Sequence, residues 1–352
     1  MDSDSTIALD ATSSIGGGLS GVGVYSREIL NGLAASGIPA QWDWFYRSQR
    51  FWRALRLPKP ANVTRRFLTD SWGNRRADLF HGLNQRLPRR RFRRQVATFH
   101  DLFVLSGAYS TPEFRERFAA QAREAASGAD LIIAVSAFTA GQVEHYLKVP
   151  KSRIRVIHHG VVPRVSPRLN TQTPRENVVL CIGAIQRRKN QAALVRAFRA
   201  MPPDWKLVLA GSQGYEADGV LHEISKSPRG GDILITGYLN DDEIAQWYAR
   251  ASIFAFPSLD EGFGMPVLEA MAAGVPVIAG DRSALPEVCG EAALLVDPED
   301  DEELASALTV LARDTNLRDE LSRKSSARVL EFSWTKAVEQ TAAVYRELLD
   351  PV

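Results

Sequence analysis

Residues 257–280 read PSLDEGFGMPVLEAMAAGVPVIAG, and this stretch decides the fold. It follows a β-rich apolar run, SIFAFP (252–257), and ends in another, VPVIAG (275–280). Between them lies a loop with Gly262 and Gly264, then a short helical pattern. Pro266 fits the first turn of that helix and Gly274 fits its cap. Strand, glycine loop, helix, strand is the unit from which parallel α/β sheets are built. The loop also suits a ligand. Glycines let the backbone come close, and a helix N-terminus offers unpaired N–H groups to an anion. Glu261 sits in the loop and Glu269 on the helix, with seven residues between them. Carboxylates beside an anion site need another task, and accepting hydrogen bonds from sugar hydroxyls is the usual one. The plainer alternative makes both exposed carboxylates that the helix dipole favours.

Working outward, the same alternation fills the chain. In the first half TIALDA (6–11), QWDWFY (41–46), DLFHG (78–82), QVATFHD (95–101), DLIIAVS (130–136) and RIRVIHHG (153–160) read as strands. Amphipathic segments such as PEFRERFAAQAREAA (112–126) and FTAGQVEHYL (138–147) separate several of them. The polar, proline-rich stretch 163–177 interrupts the pattern. It then restarts with VVLCIGA (178–184), WKLVLAG (205–211), DILITG (232–237), SIFAFP, VPVIAG and AALLVD (292–297). The expected architecture is two Rossmann-like, doubly wound parallel-sheet domains, 1–164 and 178–332, joined by a linker at 165–177. Ligands are expected in a cleft between them, at the strand C-termini. A length of 352 residues fits two domains.

The first loop supplies a competing reading. IGGGLSGVGVYSRE (15–28) matches G-x-G-x-x-G at Gly16, Gly18 and Gly21, and Asp43 follows at the distance of a dinucleotide fingerprint. Alone, it predicts a nicotinamide-dependent oxidoreductase. That reading leaves 257–308 unexplained and supplies no hydride-transfer constellation.

Charge is uneven. The net +2 divides into +11 for residues 1–165, with 24 lysines and arginines against 13 acids, and −9 for the remainder. RLPRRRFRR (Arg86–Arg94) holds six arginines in nine residues. It reads as a solvated loop or as a contact for an anionic partner, such as a lipid head group or a diphosphate-bearing acceptor. Nucleic acid is not expected, because no recognition helix or stacking-aromatic module accompanies the patch. Cys181 and Cys289 lie in separate apolar segments without metal-ligand spacing. MDSDSTIALD has no secretion-signal pattern, and no apolar run is long enough for a membrane span, so a cytoplasmic setting is expected. Asp2-Ser3-Asp4 fits the letters of a D-x-D metal motif but precedes the first strand, so no metal and no cofactor are expected.

DEGFGMPVLEAMAAGVPVIA, followed by SALPEVCGEAALLVDPEDDEELASAL (283–308), resembles the C-terminal domain of the retaining glycosyltransferases of family four, which have the GT-B fold. The resemblance implies a nucleotide-sugar donor. Glu261 and Glu269 match the E-x7-E motif, placing Glu261 by the transferred sugar and Glu269 on the nucleotide ribose, with Gly262, Phe263 and Gly264 lining the donor. CIGAIQRRKNQAALVRAF (181–198) is similar to the segment whose basic pair meets the donor diphosphate, here Arg188 and Lys189. Ala184 stands where many members carry Arg or Thr, so Arg187 or Arg188 must compensate if that contact is used. VATFHDL (96–102) resembles the strand end that turns a histidine, His100, toward the transferred sugar as a catalytic residue. By the same resemblance Gly17, Gly18 and Gly21 approach the donor diphosphate, and Asp43 loses its ribose role. FSWTKAVEQTAAVYRELL (332–349) is similar to a terminal helix, 333–352, that returns to the first domain. The opening pattern and HGLN (81–84) resemble members that use GDP-mannose in surface polysaccharide assembly; UDP-sugars such as UDP-glucose remain an alternative. The acceptor is expected to be a saccharide or lipid-linked saccharide, with peripheral membrane contact through Arg86–Arg94. A non-catalytic nucleotide-sugar binder is the remaining alternative.

Overall fold

The computed structural model describes residues 5–69, 77–89, 91–165 and 175–350. The chain divides into two compact units, Met1–Gly160 with Ser333–Val352, and Val161–Phe332. The division falls a few residues ahead of the boundary expected from sequence. Most of the expected linker (166–174), the D-x-D letters at 2–4 and Arg90 lie outside the described residues.

The first unit is built on a parallel sheet of β1 (Thr6–Asp10), β2 (Gln41–Tyr46), β3 (Val63–Phe67), β4 (Leu79–Gly82), β5 (Arg94–Phe99), β6 (Leu131–Ala134) and β7 (Ile154–Val156), in the order β3-β2-β1-β4-β5-β6-β7. The chain winds one way from β1 to β3 and the other way from β4 onward. Its topological switch point therefore lies between β1 and β4, which pair directly. Central strands are covered on both faces, which explains their unbroken apolar character. Ile7 and Leu9 of β1 pack with Tyr25, Ile29 and Leu33, while Ala8 turns to the other side with Phe45 and Phe80.

The helix Gly21–Ala35 starts from Ser20, whose Oγ accepts from the Gly23 amide at 3.3 Å. It buries the stripe Tyr25, Ile29, Leu30 and Leu33. The terminal helix Trp334–Leu349 packs against it, and a Cβ at Gly32 would lie 2.4 Å from Val338 Cγ2, so only glycine permits this approach.

The second unit repeats the plan. Its strands are β8 (Glu176–Ile182), β9 (Lys206–Ala210), β10 (Ile233–Gly237), β11 (Ala251–Phe256), β12 (Val277–Gly280) and β13 (Ala293–Val296). Their order is β10-β9-β8-β11-β12-β13, every neighbouring pair parallel. The switch point lies between β8 and β11. Both sheets are Rossmann-like, as the alternation predicts, and every strand read from sequence is present. The strand not read is β3, VTRRF, an edge strand whose two arginines conceal its period and protect an open edge. Among the described residues, no helix is long and apolar enough to cross a membrane.

Candidate active site

The loops after β8 and β11 flank the switch point of the second sheet and carry the charged residues singled out from sequence. After β8 the chain turns at Gly183 (φ +144°) and forms a short 3₁₀ turn, Arg187–Lys189. After β11 it runs through Ser258, Asp260 and Glu261 into the helix Met265–Ala272. The Leu259 amide donates to the Arg188 carbonyl at 2.9 Å, tying the two loops together.

Glu261 is 7% exposed, so the reading of a solvated helix-start carboxylate fails here. Its Oε1 accepts from Lys189 Nζ at 2.5 Å and lies 3.2 Å from Arg188 Nη1. Burial pushes its pKa up, but the charges of Arg188 and Lys189, with the hydrogen bond from Lys189, outweigh burial and hold it below the ordinary carboxylate range. Lys189 is itself buried, 4.5 Å from the Phe256 ring centroid, and burial draws its pKa down while Glu261 opposes. The result is two cations gathered on one anion. Arg188 also donates to the Asp260 carbonyl. Arg187, more than half exposed, pairs instead with Glu216 at 3.3 Å. The basic triplet is therefore no uniform solvated face: two members point inward. Of the two residues proposed to compensate for Ala184, Arg188 is the one in the site.

The helix Met265–Ala272 begins at Gly264, φ +103°, where a Cβ would also lie 2.7 Å from Leu285 Cδ2. No side chain caps this N-terminus. At the other end Gly274 is left-handed (φ +67°), its amide donating to Met271 O and that of Val275 to Ala270 O, both at 2.9 Å, the glycine stop expected from sequence. Gly262 is buried. Phe263 is 4% exposed and packs edge-on against Phe332, 5.8 Å between centroids.

Glu269 lies on the same helix, 9% exposed. Arg164 Nε is 2.8 Å from its Oε1, and the Tyr248 hydroxyl donates to its Oε2 at 3.1 Å. Burial nevertheless holds its pKa above the ordinary value, against the pull of Arg164.

In the first unit, Gly17 and Gly18 are exposed in the loop after β1 and Gly21 is exposed as the first residue of the helix Gly21–Ala35; nothing stands within 4 Å of a Cβ at Gly17 or Gly21. The turn itself needs a different glycine, Gly23, where a Cβ would meet Ser13 O at 2.9 Å. Asp43 is buried on β2 and pairs with Arg66 at 2.5 Å, a structural role. His100, at the end of β5, is 7% exposed. Its Nε2 donates to the Leu83 carbonyl at 2.9 Å, which leaves Nδ1 with a lone pair. Burial pushes its pKa down to about 4, so the ring is neutral and can accept a hydrogen bond but not deliver a proton. The arginine-rich loop is partly neutralised within the unit: Arg91 and Arg94 face Asp130 at 2.9 and 3.8 Å, and Arg93 faces Asp78 at 3.5 Å. Both cysteines are buried with thiol pKa values pushed up to about 12, which makes them inert.

Residues 167–328 match the family model of glycosyl transferases group 1, and residues 19–165 match that of glycosyltransferase family 4. The O-antigen chain mannosyltransferase B of Escherichia coli is 31% identical over 284 residues, covering 77% of this chain and 74% of the relative. The chain is a group 1 glycosyltransferase. The oxidoreductase suggested by the first glycine loop is thereby set aside. Among solved structures, sucrose-phosphate synthase from Thermosynechococcus elongatus aligns with a TM-score of 0.78 at 22% identity, covering 98% of this chain and 99% of that one. Anabaena HepE, in complex with UDP and glucose, aligns with a TM-score of 0.71 at 19% identity, covering 97% and 98%. The fold of this glycosyltransferase is GT-B.

Sequence reasoning missed three contributors. Ser283, at φ +59°, accepts from the Glu261 amide at 3.0 Å and fixes the carboxylate's backbone; strain at a non-glycine residue is often kept where geometry matters. Tyr248 and Arg164 hold Glu269. A tyrosine inside QWYAR and an arginine in a proline-rich stretch carry no local signal; only the fold brings them to the carboxylate.

Proposed function

We propose that this glycosyltransferase moves a hexose from a nucleotide-sugar to an acceptor hydroxyl with retention, and that mannose from GDP-mannose is the preferred donor. The carrying observation is Glu261, held ionised beneath Arg188 and Lys189 at the switch point of the second sheet. Two cations share the one carboxylate of Glu261, so within this trio one positive charge is unmatched. The donor diphosphate, bearing two negative charges, completes it. It draws Arg188 and Lys189 onto its oxygens, lies at the uncapped N-terminus of Met265–Ala272, and leaves the carboxylate of Glu261 beside the sugar. Glu269 accepts from the ribose hydroxyls.

Glycosidic bond cleavage places charge on the leaving phosphate, which the same two cations stabilise without a metal ion. With Glu269 on the ribose and Glu261 tied to Arg188 and Lys189, neither carboxylate of the motif is poised as the nucleophile of a double displacement. A front-face transfer fits better: the C1–O(phosphate) bond breaks, the acceptor oxygen bonds to C1 on the same face, and its proton passes to the departing phosphate. His100 Nδ1 accepts from a hydroxyl of the transferred sugar.

The mannosyltransferase relative supports mannose as the transferred sugar, while HepE with UDP and glucose keeps UDP-glucose as the second donor to test. On the acceptor side, a cavity of about 550 Å³ in the first unit opens after β5, bordered by Leu105, Gly107, Arg115, Glu116 and Arg123. Its guanidinium groups suit a polar saccharide carrying an anionic group, as a lipid-linked acceptor would. Membrane proximity through Arg86–Arg94 belongs to the same reading. The experiment is incubation with GDP-mannose or UDP-glucose and a methyl α-mannoside acceptor, with EDTA present, and NMR of the product's anomeric centre. An α-linked product is expected. A β-linked product, or an absolute need for Mn²⁺, overturns the mechanism; no turnover of either donor leaves a nucleotide-sugar binder.

A further inference from the structure

Arg164 is set in an irregular segment, Val161–Val165, whose neighbours Val162 and Pro163 are exposed. Its side chain nevertheless turns inward and is only 21% exposed. There it bridges two carboxylates, Glu269 Oε1 at 2.8 Å from Nε and Asp241 Oδ1 at 2.6 Å from Nη1. Tyr248, fully buried, divides its hydroxyl between Glu269 Oε2 and the Pro266 carbonyl, each at 3.1 Å. The groups facing Glu269 are thus one cation, Arg164, and two groups from the helix Asp241–Arg250, the Asp241 carboxylate and the Tyr248 phenol.

We propose that Arg164 is a positioning residue for nucleotide recognition, holding Glu269 as an oriented carboxylate able to accept from a pair of vicinal sugar hydroxyls. This rests on the reading of Glu269 as the ribose-binding residue. The effect of Arg164 on Glu269 is electrostatic. Burial and the nearby negative charge of Asp241 both favour the protonated acid, and Arg164 alone opposes them with a full charge. A carboxylate can accept at both oxygens, one lone pair of each remaining after Arg164 and Tyr248 are satisfied. A protonated acid accepts well only at its carbonyl oxygen and meets the second hydroxyl as a neutral donor, so the charge assistance of both hydrogen bonds is lost. Removing the guanidinium therefore changes what Glu269 can recognise before it changes the fold, and does so in a pH-dependent way.

The test compares binding of GDP with 2′,3′-dideoxy-GDP, and of UDP with 2′,3′-dideoxy-UDP, by calorimetry from pH 6 to 8.5. Wild-type protein is expected to prefer the ribonucleotide of the better-binding pair by at least about tenfold throughout, the difference that hydrogen bonds to a charged acceptor supply. In Arg164→Met the preference is expected to collapse at pH 6 and to recover as pH rises. Arg164→Gln, which keeps a donor without the charge, is expected to do the same, so the result does not depend on one variant. Arg164→Lys is expected to restore the preference at every pH. A preference unchanged in the Met and Gln variants, or lost equally at all pH values, overturns the proposal. If wild-type protein itself fails to distinguish ribose from dideoxyribose in both pairs, the ribose reading of Glu269 falls, and the proposal with it.

Discussion

Glu261→Gln separates the two roles of the ion cluster. The substitution keeps shape and removes one negative charge, leaving Lys189 and Arg188 facing a neutral amide in a site where Glu261 is 7% exposed. Removing one partner of a buried ion pair costs about 3–5 kcal/mol, because the remaining charge is left uncompensated. For a unit the size of Val161–Phe332, each kcal/mol lowers Tm by about 2–4 °C, so the ligand-free variant should melt roughly 10 °C below wild type. Nucleoside diphosphate binding should move the other way. In wild type the diphosphate competes with Glu261 for both cations; in the variant it does not. One charge-assisted hydrogen bond no longer surrendered is about 1.5–3 kcal/mol, or roughly ten- to a hundredfold in Kd. Burial already draws the Lys189 pKa down and loss of Glu261 deepens this, so the gain should be largest at mildly acidic pH. Transfer should fall sharply, since the carboxylate beside the sugar is gone. The assays are differential scanning fluorimetry with and without GDP or UDP, and calorimetry at pH 6.5 and 8. A ligand-free Tm equal to wild type, or nucleotide affinity weakened tenfold, would falsify the competition argument.

Other variants probe packing, charge and the acceptor side of the same structure. Gly264→Ala meets both a left-handed φ of +103° and Leu285 Cδ2 at 2.7 Å, so it should cost about 2–4 kcal/mol in urea denaturation and depress transfer; a variant as stable as wild type would contradict this. In the first unit His81 and His100 are buried and neutral, their pKa values pushed down to about 3 and about 4 from 6.5. Because the unfolded chain binds these protons first, their contribution is complete above pH 6.5 and is lost as pH falls toward 4 and 3. Urea midpoints at pH 7, 5.5 and 4.5 should decline steadily, with a shallower slope in His81→Phe; a flat profile in wild type would refute the assignment. Tyr345→Phe removes the hydroxyl that meets His81 Nδ1 at 2.6 Å and should cost about 1–2 kcal/mol, read as earlier proteolysis of the terminal helix. Arg115→Ala and Arg123→Ala should raise KM for an anionic acceptor severalfold while leaving KM for the donor unchanged; equal effects on both would remove the acceptor reading of that cavity.

Much of the fold is legible because its signals are local. A buried parallel strand must be apolar on both faces, so VVLCI and SIFAF announce themselves, and Gly264 and Gly274 mark turns only glycine makes easily. β3 escapes because an edge strand is free to carry charge. The candidate site is half legible. Glu261, Glu269, Arg188 and Lys189 stand in recognisable spacing, but the sequence leaves open whether they are a solvated face, and only burial and the 2.5 Å Lys189–Glu261 contact remove that alternative. The G-x-G-x-x-G letters mislead for a physical reason. A strand-to-helix turn with open glycines serves any phosphate-approaching loop, and Asp43, the residue that would make it a dinucleotide site, is spent on Arg66. Arg164 and Tyr248 are illegible because their partner, Glu269, is distant in the chain.

The central claim is that Arg188 and Lys189 form the diphosphate site of a nucleotide-sugar transferase. Thermal shifts against GDP, UDP, ADP, GDP-mannose and UDP-glucose, on wild type and on the double variant Arg188→Ala/Lys189→Ala, test it most directly. GDP and GDP-mannose should raise the wild-type Tm by several degrees through mass action and leave the double variant unmoved. Equal shifts in both proteins, or no shift with any nucleotide, would contradict the claim.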